Sequence, residues 1–158
     1  MKKSDFIANR LREIFLNGYW IANTNYRDQL EEITWQQAIH QVENLNTIAA
    51  LTYHINYYLL GLLHVFNGGP LEIKDQYSYN LPPIYSEADW KKLVNDFLTN
   101  ASVFAITVEK MPDEKLDEIF VTEKYGTHLR NIEAVIEHSY YHLGQIVLIK
   151  KLILAAGK

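Results

Sequence analysis

Residues 127–155, THLRNIEAVIEHSYYHLGQIVLIKKLILA, make the longest helical pattern in the chain and follow the breaker Gly126. Upstream, Ser86-Glu87-Ala88-Asp89 signals a helix start. Trp90, Leu93, Val94, Phe97, Ala101, Phe104, Ala105 and Val108 carry that helix on, close to a heptad pattern, until Met111-Pro112-Asp113 ends it. An earlier helix spans 46–66 on Ile48, Leu51, Ile55, Tyr58, Leu59 and Leu62, and Asn67-Gly68-Gly69-Pro70 stops it. Ser4-Asp5 is expected to cap a first helix over 5–18, with Ile7, Leu11, Ile14 and Phe15 on one face and Gly18 at its end. Residues 19–45 read as a loop holding one short helix near 34–41, where Thr34-Trp35-Gln36-Gln37 fits a capping box. All four prolines fall between helices, and strand-like alternation shows only weakly, around 76–85. The predicted fold is all-α, a four-helix bundle forming a single domain over 1–158. The Tyr-rich, proline-broken stretch that reaches Tyr85 is too long for a tight turn between neighbouring antiparallel helices. A long crossover between helices 2 and 3 is therefore expected.

Within the last helix, Glu137-His138-Ser139-Tyr140-Tyr141-His142-Leu143-Gly144-Gln145-Ile146 sets two histidines four residues apart, so both point the same way. A rotation of 100° per residue puts Asn131, Val135, His138, His142, Gln145 and Ile149 within roughly 40° of one line. Four of these six are polar, and burying them is costly unless they are paired or bind something. His54 sits in the middle of the second helix, and the line through it carries Thr47, Leu51, Tyr58, Gly61 and Val65. Three imidazoles from two helices would close on one metal ion and leave it with open positions, as catalysis requires.

The competing reading is a set of core histidines hydrogen-bonded to Tyr or Gln. Random placement of six histidines in 158 residues gives roughly 0.2 pairs at spacing four, so the pair alone does not decide. His64 and His128 lie about 80° off the favoured lines, and His40 falls in the short helix. The residue after His138 is Ser139, so this is not the His-Glu-x-x-His of zinc proteases. Glu133 and Glu137 are the carboxylates nearest the pair in sequence. Tyr53, Tyr57, Tyr58, Tyr140 and Tyr141 crowd the histidine helices and read first as core or interface. Gly61 leaves room on the His54 side for a partner helix or a ligand. Gly144 faces away from His142 and suits close helix packing or a dimer contact.

The composition narrows the function classes. A net charge of −4 with no basic tract argues against a nucleic-acid partner. No run approaches the roughly 20 apolar residues that span a bilayer, and no apolar leader opens the chain. The protein reads as cytoplasmic, with no membrane partner. The chain has no cysteine, which excludes disulfides, thiolate ligands and a protein-borne thiol nucleophile. Sulfur chemistry here needs a small-molecule thiol.

With these residues in view, the chain resembles the DinB/YfiT-like superfamily. The likeness runs through Leu16-Asn17-Gly18-Tyr19-Trp20 to Asn25 and Leu30, then Ile33-Thr34-Trp35-Gln36-Gln37-Ala38 and Asn46-Thr47-Ile48 leading to His54-Ile55. Its most specific part is His138 to Ile146. The resemblance implies an up-down-down-up bundle, often a homodimer, with His54, His138 and His142 as ligands to a divalent metal, commonly nickel or zinc. It further implies a small-molecule substrate and transfer of a low-molecular-weight thiol cosubstrate to an electrophile. Hydrolysis by metal-bound water is the alternative activity, and a non-enzymatic metal- or ligand-binding bundle is the alternative class. Asn131, Gln145 and Tyr58 are the expected supporting or substrate-contacting residues.

Overall fold

A computed structural model describes residues 2–157. Four long helices dominate it: α1 (Lys3–Arg12, prolonged by a π-helical turn Glu13–Asn17), α4 (Ile48–Phe66), α5 (Glu87–Lys110) and α7 (His128–Ala156). Three short helices intervene: α2 (Tyr26–Glu31), α3 (Trp35–Ile39) and α6 (Asp113–Asp117). Among the described residues there is no strand, only an isolated bridge between Ile119 and Thr127. The all-α bundle expected from the apolar periodicity is therefore present. No helix among the described residues is long and apolar enough to cross a membrane.

Side-chain caps start α4, α5 and α7, and of these the one at Ser86 was expected from the sequence. Thr47 accepts from Ala50 N–H at 3.1 Å, Ser86 from Asp89 N–H at 3.2 Å and Thr127 from Arg130 N–H at 3.1 Å. The capping box at Thr34 is complete, with Gln37 reaching back at 3.0 Å. At α1 the expectation needs correction. The helix begins two residues earlier, Ser4 is buried within it, and Asp113 accepts the Lys3 and Ser4 N–H groups at 3.0 and 2.9 Å. The orphan donors of its first turn are thus satisfied by a carboxylate from the far side of the sequence. The π turn at its end lets the consecutive Ile14 and Phe15 both reach the core.

Helices α2 and α6 were not expected. Each is a single short turn system with little apolar period to read: α2 buries only Tyr26 and Leu30, and α6 only Leu116. Packing sets α5 against both α1 and α4, and α4 against α7. Phe15, Tyr26 and Phe97 meet at ring-centroid distances of 5.2–5.7 Å in the centre of the core. Tyr26 also donates its hydroxyl to the Ser139 carbonyl at 2.8 Å, pinning α2 across the histidine segment of α7. The segment 67–86 that joins α4 to α5, the expected crossover, does not leave the bundle. It folds back along α4 and α7, where Ile73 fills the space beside Gly61. That space is taken by the crossover, neither by a partner helix nor by a ligand.

Candidate metal centre

Because α4 and α7 pack against each other, His54 meets His138 and His142. The three Nε2 atoms face one another: 2.8 Å separates His142 from His138, and 3.3 Å separates His54 from His138. Three nitrogens bound about 2.0–2.1 Å from one tetrahedral ion would lie about 3.3 Å apart, so two of the three separations are near ligand spacing and all three atoms lie within 4.8 Å of one another. His54 and His142 are buried and His138 is half-buried. These three residues could hold a metal ion.

Proton placement favours a shared cation over a hydrogen-bonded core cluster. Gln145 Oε1 lies 2.6 Å from His142 Nδ1. A carbonyl oxygen only accepts, so Nδ1 carries the proton and Nε2 presents its lone pair to the centre. If His138 Nε2–H then donates to His142, it has no lone pair left to offer His54 Nε2. One proton cannot serve both contacts, whereas one cation satisfies all three nitrogens. Among the described residues, the buried Nδ1 of His54 has no hydrogen-bond partner, which fixes no competing tautomer.

The surroundings keep the imidazoles neutral, the form that binds metal. Tyr79 stacks on His54 at 4.1 Å, Tyr58 packs edge-on against His54 and His138, and Tyr141 lies against His142. Burial, and then the fields of His142 and His138, push His54 down from 6.5 to about 4. The Ser78 backbone, outside normal hydrogen-bonding geometry, and the Asp75 carboxylate oppose this weakly. His138 is lowered by burial and then by His142. His142 is lowered by burial, against the pull of Gln145.

His138 also lines a cavity of about 500 Å³, between α4, α7, the crossover and the 123–125 turn. Leu62, Leu71, Ile73, Phe120 and Val135 supply its apolar wall. Comparison with family models, with curated proteins and with solved structures gave no match. The site therefore rests on its own geometry.

Of the expected supporting residues, Gln145 holds His142 and Tyr58 packs on His54 and His138. Asn131 lines the cavity, but its amide donates to the Tyr125 and Thr127 carbonyls at 2.8 Å each, so it also ties down the entry to α7. Glu137 is exposed and pairs with Arg130 at 3.2 Å, and neither it nor Glu133 lines the cavity. The carboxylate that does is Asp75, which accepts the Tyr58 hydroxyl at 2.9 Å. Asp75 and Tyr79 were missed because the crossover has no period from which to read a facing side. Gly144 is exposed, and a Cβ there would meet nothing within 4 Å, so it serves no close packing inside the chain. A larger cavity, about 710 Å³, lies beyond Leu71 and Phe120; His128 lines it and none of the triad does.

Proposed function

We propose that this protein is a metal-dependent enzyme that transfers a low-molecular-weight thiol to an electrophilic small molecule. His54, His138 and His142 would hold the divalent ion, nickel or zinc. The observation that carries this reading is the convergence of three imidazole nitrogens within 4.8 Å of one another beside a cavity that His138 itself lines. When bound, the ion supplies positive charge that favours the thiolate form of a small thiol near neutral pH. The chain's own residues supply position. Gln145 sets the tautomer of His142, the three tyrosines shield the imidazoles from water, and the apolar wall receives the body of the electrophile. With no cysteine in the chain, no side-chain thiol competes for the centre.

Membership of the DinB/YfiT-like superfamily belongs to the same proposal, supported by the order of one central histidine and a downstream pair four apart. So does the up-down-down-up helix order, for which the long segment 67–86 is the support. Homodimerisation is supported by the exposed Tyr141, Leu148 and Leu152 at helical spacing on α7.

A second reading, hydrolysis, is favoured by one observation: Asp75 places a carboxylate on the cavity that holds His138, where it can accept a proton. Turnover assays on the zinc- or nickel-loaded protein separate the two. Turnover of electrophiles that requires added thiol supports transfer. Cleavage of esters or amides without thiol replaces it with hydrolysis. A loaded protein inert to both is a metal-binding bundle without enzymatic activity.

A further inference from the structure

The cavity beside His138 is lined by two lysines that form no ion pair among the described residues. Lys74 reaches it from the crossover and Lys124 from the 123–125 turn, on segments far apart in sequence. The backbone of Lys74 is clamped at the rim. Tyr57 Oη accepts its N–H at 2.9 Å and donates to its carbonyl at 3.1 Å. The Lys124 ammonium sits 5.5 Å from the centre of the Tyr125 ring, another rim residue. Acidic residues outnumber basic ones, 19 to 15, and Lys3, Lys115 and Lys150 each pair with a carboxylate. Lys74 and Lys124 have no such partner within 4 Å among the described residues. Among the described residues the one acid on the cavity is Asp75, which accepts the Tyr58 hydroxyl and keeps its charge, so the lining carries two positive charges against one negative.

We propose that this cavity selects organic carboxylates, with an apolar body against Leu62, Ile73, Val135 and Phe120 and the carboxylate held at the rim by Lys74 and Lys124. The apolar floor explains the body, since burying it there removes hydrocarbon from water. The two lysines explain the charge, since a carboxylate at the rim gains two attractions against one repulsion from Asp75 and displaces no existing ion pair. The inference rests on the reading that this cavity serves the triad, and it names the substrate class of that site. Lys74 and Lys124 are positioning residues.

The test is calorimetric binding of 4-phenylbutyrate and its neutral isostere 4-phenylbutyramide, with and without zinc. Wild type should bind the acid about tenfold more tightly than the amide, from two partly screened charge contacts. This preference should persist in metal-free protein and weaken with salt. Lys74→Met/Lys124→Met should abolish the preference while leaving amide binding and zinc uptake unchanged, and Lys74→Arg/Lys124→Arg should retain it. Both lysines are exposed, and circular dichroism confirms the fold of each variant. Equal binding of acid and amide by wild type overturns the proposal. So does a preference that survives in the Met variant, or one that exists only with zinc, since the ion would then be the anchor. A preference that persists in a protein that takes up no zinc upholds the carboxylate site and sinks the metal reading alone.

Discussion

Gly61→Ala puts two opposing effects on one atom. On helix propensity alone, Gly to Ala inside α4 should stabilise by about 1 kcal/mol. A Cβ at this position, however, would lie 2.2 Å from Ile73 Cγ2, 3.0 Å from Cδ1 and 3.2 Å from Cβ. Turning the Ile73 side chain relieves the first two contacts, but its Cβ moves only with the crossover backbone. Overpacking of this kind typically costs about 1–3 kcal/mol, so the clash should win and the variant should lose about 1 kcal/mol net. Urea denaturation of wild type, Gly61→Ala, Ile73→Gly and the double variant measures it. With the Ile73 Cβ itself removed, Gly61→Ala should regain its helical advantage, giving a coupling of about 2 kcal/mol between the sites. Stabilisation of wild type by Gly61→Ala would refute the reasoning, because the crossover would then not lie against α4. The result bears on function, since Ile73 is followed by Lys74 and Asp75 on the cavity rim.

Gln145→Leu removes the acceptor that orients His142 and should weaken zinc binding about 10–100-fold in chelator competition, with an unchanged fold. Tyr26→Phe should cost about 1 kcal/mol in urea denaturation through loss of the buried bond to the Ser139 carbonyl. The metal-free protein should lose stability as pH falls from 6.5 towards about 4. In that window the unfolded chain protonates His54 and the folded chain does not, and His138 and His142 shift in the same direction. Urea midpoints at pH 7.5 and pH 5 in chelator test this, and His54→Phe should flatten the slope; equal midpoints would contradict the burial of neutral imidazoles.

The long helices were legible because a period of 3.6 residues repeats many times in α5 and α7, and because Ser86 and the glycine stop after α4 mark ends by local chemistry, as Thr34 does for the short α3. His138 and His142 share a face by spacing alone, and Gln145 by one further turn. Their meeting with His54 was legible only as a possibility, since the rotation of α4 against α7 is a tertiary matter. What escaped lies where no period exists: α2, α6, and the crossover that delivers Lys74, Asp75 and Tyr79. Asp113 capping α1 was equally hidden, because Ser4 and Asp5 offered a plausible local cap and only the fold brings a distant carboxylate nearer.

Metal content by elemental mass spectrometry tests the central claim most directly, on native protein and on His142→Ala purified without chelator or affinity-tag nickel. The account predicts near one divalent ion per chain in the native protein and its loss in the variant. No metal in either, even after zinc or nickel is added, would contradict it and return His54, His138 and His142 to core packing.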